Sequence, residues 1–214
     1  LLYHCKSNNK FLIFDNAATH YTFYKGKNCL NYRHGCIISF HHTKLFGFGD
    51  GGAIVVDNKY ENVIRKLIYF GIGYDENLYY LSKANNCKMS DVQAVYIIQY
   101  LMDNFDNIIK THQKLYDHLV GKIKDINVKL FQSFHDKGKN TLSCFSFIFN
   151  ENEKSTLAEK ELLNNNIFCW KYYHPLKKTK ITCDIYSKIL CIPCHKDMNF
   201  TDIDKIVDII SRIL

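Results

Sequence analysis

Proline is almost missing from this chain, with two in 214 residues, and glycine is held to ten. That excludes a Pro/Gly-rich linker protein or a collagen-like repeat. No apolar run approaches the roughly 18 residues that a membrane-spanning helix needs. The N-terminus carries no basic region followed by an apolar stretch and a cleavage site, and the C-terminal Ser-Arg-Ile-Leu is no address signal. No block of like charge exists either. The net charge is +7, yet its lysines are scattered among acidic residues, which argues against a nucleic-acid stripe. A cytoplasmic protein without nucleic-acid or membrane partners is the expectation. The nine cysteines are odd in number and irregular in spacing, so a disulfide framework is not expected, and reduced, mostly buried thiols are. The first residue is Leu1 rather than Met, so the chain is expected to start inside a longer protein.

What is present is enough apolar material for a packed core: 47% hydrophobic residues against 23% charged. Short apolar runs at 10–15, 35–40 and 53–56 read as buried strands, and 58–70 reads as a helix with Val63, Ile64, Leu67 and Ile68 on one face. Buried strands alternating with helices predict an α/β layer. Ser90-Asp91-Val92-Gln93 is a capping-box pattern that opens a long helix. Val92, Val95, Tyr96, Leu101, Met102, Phe105, Ile108, Ile109, Leu115, Leu119 and Ile123 recur along it at helical spacing, with a bend expected near 104–107. Beyond it, 128–131, 142–149 and 167–173 read as strands, 156–164 as a helix, and Thr201 onward as a last helix with Ile203, Ile206, Val207 and Ile210 inward. The expected organisation is α/β over 1–108 and a smaller α+β domain over 109–214.

The chemistry concentrates in Ser39-Phe40-His41-His42-Thr43-Lys44, followed by Gly49-Asp50-Gly51-Gly52. A lysine just past an apolar strand, with glycines behind it, can be tethered while its amine faces a pocket. Such a lysine can condense with a cofactor aldehyde once its pKa falls from about 10.4, through apolar enclosure and neighbouring cations. Pyridoxal chemistry also needs a carboxylate against the ring nitrogen and short donors for a phosphate. Asp15 ends a buried strand, where a lone carboxylate is costly; it can serve the ring or simply cap a turn. Ser39 can bond a phosphate or be an ordinary satisfied hydroxyl. Taken one at a time, these residues fit a plain globular protein as well as a site.

Seven motifs follow in order: Asp15-Asn16-Ala17-Ala18, Tyr24-Lys25-Gly26-Lys27, Ser39 to Lys44, Gly49 to Gly52, Asn86 to Asp91 with Gln93-Ala94, Tyr173-His174-Pro175-Leu176, and Ile189 to His195. Together they resemble the DegT/DnrJ/EryC1/StrS family of pyridoxal-phosphate sugar aminotransferases. The resemblance implies a fold-type-I PLP-dependent transferase, here a partial large α/β domain followed by a small α+β domain. It implies pyridoxal 5'-phosphate as cofactor, an amino-acid donor (glutamate), a nucleotide-linked keto-deoxy sugar as acceptor, and a homodimer. By the same resemblance Lys44 carries the cofactor and shuttles protons, His41 orders the pocket, Asp15 faces the pyridinium nitrogen, Ser39 binds the phosphate, and Asn86 reaches the neighbouring subunit's site. A residue beside the cofactor's phenolic oxygen falls on Thr19 or His20. The chain departs from the family in Asn16, in Asp50 for glutamate, in Arg33-His34, and in lacking the family's first half with its phosphate-binding turn. Family dehydratases carry histidine in place of the lysine, so Lys44 points to amino transfer.

Two rival patterns sit near the C-terminus. Cys191-Ile192-Pro193-Cys194-His195 matches the C-x-x-C-H haem-attachment pattern, and Cys183, Cys191, Cys194 and His195 offer zinc-type ligands. Neither has the second motif or the export signal that would complete it. A non-catalytic dimerising fragment is the remaining alternative.

Overall fold

The computed structural model describes residues 1–31, 34–72, 83–130, 141 and 143–214. Arg33, the last residue of the strand expected at 128–131 and the first of that expected at 142–149 lie outside the described residues. Two compact units emerge, Leu1–Phe105 and Asp106–Leu214, and one long helix contributes to both.

The first unit opens with α1 (Leu2–Ser7), then β1 (Ile13–Asp15), β2 (Phe23–Tyr24), β3 (Lys27–Asn28), β4 (Gly35–Ser39), β5 (Gly52–Val56) and α2 (Glu61–Ile68). β4 lies between β1, to which it is parallel, and β5, to which it is antiparallel. β2 and β3 form a tight hairpin whose turn, Lys25-Gly26, has φ of 49° and 74°. A two-residue hairpin turn of this hand needs positive φ at both central positions, which is why glycine occupies the second. α1 and this hairpin were not foreseen.

Register decides which side chains share a face of the sheet. Asp15 pairs with Ile37, and Ile37 with Ile54. Because side chains alternate along a strand, Ile13, Asp15, Ile37, Ser39 and Ile54 all stand on one face. That face is open: Ile13 is 62%, Ile37 46% and Ile54 48% exposed. Cys36, on the opposite face of β4, is buried.

α3 (Asp91–Lys122) runs through 104–107 as one helix, where the sequence pointed to a bend. Its N-terminal half corrects a second expectation. Val92, Val95, Tyr96 and Met102 are exposed rather than packed, while Ile97 is buried. The C-terminal half behaves as its periodicity predicts, with Ile108, Ile109, Leu115 and Leu119 buried.

The second unit continues with β6 (Lys129–Leu130), β7 (Cys144–Ile148), α4 (Asn152–Asn164), α5 (Lys180–Lys188), β8 (Ile189–Pro193) and α6 (Phe200–Ser211). Its sheet is antiparallel in the order β6-β7-β8. Alternation sends Phe145 and Phe147 of β7 and Leu190 and Ile192 of β8 into a core with Leu115, Leu119, Leu162 and Ile210. Ile203, Ile206, Val207 and Ile210 of α6 are all buried, as their spacing requires. α5 and α6 each begin with a reciprocal capping box, Thr179 with Thr182 and Asn199 with Asp202. The strand expected at 167–173 is reduced to a single bridge, Trp170 to Cys191.

All nine cysteines are free, and three of them, Cys36, Cys191 and Cys194, are buried. The zinc alternative finds no support in placement. Cys183 is exposed, Cys194 faces His112 at 3.6 Å, and no three potential ligands gather among the described residues. No described helix is long and apolar enough to cross a membrane.

Candidate active site

The parallel pair β1 and β4 ends on the same side, and both strand ends carry polar residues, Asp15 on β1 and Ser39 on β4. In parallel sheets the crevice beyond the carboxyl ends of the strands is where ligands bind. The register places Asp15 and Ser39 on one face there.

Asp15 is exposed, and its Oδ1 accepts a hydrogen bond from the Ala17 amide at 3.0 Å. Among the described residues its second oxygen has no such partner. Asn16, the apparent intruder in the acidic motif, is buried; its amide donates to the Ile37 carbonyl at 2.9 Å and its side-chain Nδ2 to the Thr19 carbonyl at 3.1 Å. It thus locks the turn after β1. A depression of about 280 Å³ is lined by Asp15, Asn16, Thr19, Thr22 and Cys29 together with Ile13 and Phe14. Thr19 therefore sits with the carboxylate.

The loop after β4 is closed at its base. The Phe40 amide donates to the Gly51 carbonyl at 2.9 Å, and the Phe48 amide to the Phe40 carbonyl at 3.0 Å. Inside it, the Lys44 amide donates to the His41 carbonyl and the Gly47 amide to the Lys44 carbonyl, both at 2.8 Å. Gly47 is obligatory: a Cβ there would run into the His41 carbonyl oxygen and lie 2.8 Å from the His42 Cα. The loop folds around Lys44, whose side chain is half-buried.

Ser39 Oγ accepts from the His41 amide at 3.3 Å, which leaves its own hydrogen available as a donor. His41 Nδ1 lies 2.9 Å from Thr43 Oγ1, while its Nε2 is 3.9 Å from the exposed Asp50 carboxylate, beyond hydrogen-bond range.

His20 is separated from Thr19 by environment. It is buried, its ring stacks on Phe46 at 5.6 Å and 15°, and it tilts against Phe40 at 6.5 Å. Burial and then the positive charge of Lys44 lower its pKa from 6.5 to about 4, against a weaker upward pull from the Ala17 and Ser39 carbonyls. His20 thus belongs to the lysine loop, whereas Thr19 belongs to the depression. Asn86 is exposed on a separate segment, where it bridges Tyr69, and no described contact joins it to the other site residues. Phe40 and Phe46 were missed as site-forming residues. Their flanking of Lys44 in sequence was the available signal.

The fold is that of the fold-type-I pyridoxal-phosphate transferases. A solved Streptococcus pneumoniae protein in its PLP form superposes with a TM-score of 0.85 at 16% identity, over 98% of this chain and 59% of that one, and its PMP form matches as well. DesI, solved in the presence of its TDP-sugar product, gives a TM-score of 0.81 at 19% identity, over 98% and 57%. The family model of the DegT/DnrJ/EryC1/StrS aminotransferases matches residues 2–211, and the chain belongs to that family, whose cofactor is pyridoxal phosphate. A dTDP-4-amino-4,6-dideoxy-D-glucose transaminase of Shigella dysenteriae is 28% identical over 200 residues, which is 85% of this chain and 53% of that protein. The chain spans about half the length of the relatives it matches.

Proposed function

We propose that this chain is the lysine-bearing part of a PLP-dependent aminotransferase that moves an amino group from an amino acid, glutamate, to a nucleotide-linked keto-deoxy sugar. The observation that carries the reading is the placement of Asp15 and Ser39 on one face at the carboxyl ends of adjacent parallel strands, with Lys44 in the closed loop directly after Ser39.

The residues fit the cofactor. Asp15 has an exposed carboxylate oxygen to offer a protonated ring nitrogen, Ser39 has a hydroxyl hydrogen to offer a phosphate, and Lys44 has its amine on a loop fixed by backbone bonds. Bound there, pyridoxal phosphate supplies an electron sink that makes a proton on the adjacent carbon labile. Asp15 keeps the ring nitrogen charged. Lys44 Nζ, once free, takes and returns the proton, and His41, braced by Thr43, walls the loop beside it. Thr19, in the depression with Asp15, takes the position beside the phenolic oxygen. Asn86 serves the partner subunit's site in a homodimer. Cytoplasmic synthesis of amino sugars for polysaccharides is the setting this chemistry fits.

The open sheet face of Ile13, Ile37 and Ile54, and the uncovered half of α3, support a working enzyme that includes the rest of the family fold. The same openness favours the second reading, a fragment that packs against other polypeptide without catalysing. Turnover of a protein that joins this chain to the rest of the family fold separates the two. Asp15→Asn in it should cut amino transfer from glutamate at least tenfold while cofactor content changes little, since a neutral partner loses more than about 1.4 kcal/mol of ring-nitrogen stabilisation. An unchanged rate removes Asp15 from the role, and no turnover by the parent protein favours the second reading.

A further inference from the structure

Ser90-Asp91-Val92-Gln93 opens α3 as a capping box, but only half of the box closes. Ser90 Oγ accepts from the Gln93 amide at 3.1 Å, as a helix cap should. The return bond, from the Ser90 amide to the Gln93 side chain, is not made among the described residues. Gln93 Nε2 instead donates to the Phe48 carbonyl, 2.9 Å away and 45 residues back along the chain. Gln93 thus forgoes the local bond of its position for a distant one.

Phe48 is the residue that closes the loop around Lys44. Its amide ties the loop to its own base, at the Phe40 carbonyl 3.0 Å away, and its carbonyl ties the loop to α3. Lys44 stands midway between Phe40 and Phe48 in the chain. More of the loop is seated on the same stretch of helix. The Phe48 ring stacks on Tyr100 at 4.8 Å and 22°, and Phe46 stacks on Phe105 at 5.0 Å and 18°. Gln93, the buried Ile97 and Tyr100 follow at spacings of four and three, so they share one face of α3. Gly49 and Gly51 let the start of the helix come this close. Both have positive φ, 79° and 124°. A Cβ on Gly49 would lie 2.9 Å from Gln93 Nε2, and one on Gly51 would run into the Met89 side chain.

We propose that Gln93 is a positioning residue for Lys44: through the Phe48 carbonyl it pins the closing end of the lysine loop to α3, and so sets where the loop presents the amine. The bond requires an amide. A carboxylate there would set acceptor against acceptor at the Phe48 carbonyl, whereas a capping box takes Glu and Gln alike. Any consequence for amino transfer rests on the reading of Lys44 as the reactive lysine. The clamp itself is tested on the 214-residue chain, so the two can fail separately.

Gln93→Glu separates clamp from cap. Glutamate in the first turn suits both the capping box and the helix dipole, so the variant keeps α3. Amide hydrogen exchange followed by NMR on the 214-residue chain should show Phe40, Gly47 and Phe48 exchanging at least about fivefold faster in the variant, with Ile97 and Ile98 of α3 within about twofold of the parent. Loop amides that keep the parent rates overturn the proposal, as do loop amides that speed up only in step with those of α3. In a protein that joins this chain to the rest of the family fold, the same substitution should lower kcat by at least about fivefold and leave KM for the amino donor within about twofold, because the amine is misplaced while the binding groups are untouched. An unchanged kcat, or a loss confined to KM, overturns the positioning role. A parent without turnover counts against the reading of Lys44, and the exchange result then decides the clamp alone.

Discussion

Lowering the pH should unfold the second unit through one histidine. His112 of α3 is 2% exposed. Its Nε2 lies 3.2 Å from the Cys194 carbonyl, and its Nδ1 lies 3.6 Å from the Cys194 thiol. The neutral ring suits both neighbours, donating from Nε2 to the carbonyl and accepting at Nδ1 from the S–H. A second proton, on Nδ1, would face the thiol hydrogen. Burial lowers the pKa from 6.5 to about 4; the Cys194 carbonyl opposes this weakly and the nearby His195 adds to it. Because the folded pKa lies below the unfolded one, the stabilisation is full above 6.5 and is lost as pH falls toward 4. The shift corresponds to about 3 kcal/mol lost across that window. The assay is urea unfolding at pH 7.5 and 4.5, followed by fluorescence of the single tryptophan, Trp170, which lies in the same unit. His112→Leu should be less stable at pH 7.5 by about 1–3 kcal/mol, since it leaves the Cys194 carbonyl unpaired. It should also lose about one proton's worth of pH dependence between 6.5 and 4. A variant whose stability falls with pH as steeply as the parent's would refute the reasoning.

Two further substitutions test local claims. Gly47→Ala should destabilise the first unit by about 1–3 kcal/mol in urea unfolding followed by circular dichroism, because rigid backbone blocks the added methyl; a neutral effect would show that the lysine loop is not held as described. Asn199→Ala removes the acceptor for the Asp202 amide at the start of α6 and should cost about 1 kcal/mol, read as a lower urea midpoint of the Trp170 signal.

The lysine loop was legible because its chemistry is local. Ser39, His41, Lys44 and the glycines lie within fourteen residues, and the strands on either side are short, apolar and β-branched. The N-terminal half of α3 was misjudged for a physical reason. Helical periodicity tells which face is apolar but not whether this chain supplies the cover, and Val92, Val95, Tyr96 and Met102 have none here. α5 escaped notice because its cap uses Thr182 where glutamate is the usual signal, and its nine residues alternate apolar and polar without a clean stripe. That Thr19 and His20 stand in different surroundings, one at the depression and one against Phe46, was closed to sequence reasoning, because adjacent residues in a turn point to different places. His112 could have been noticed, since it lies three residues from both Ile109 and Leu115 on the inward face of α3.

The most direct measurement is chemical. A protein that joins this chain to the rest of the family fold, loaded with pyridoxal phosphate and reduced with borohydride, should yield one pyridoxyl-labelled peptide, with the label on Lys44. A label on any other lysine, or none in a protein that transfers amino groups, contradicts the account.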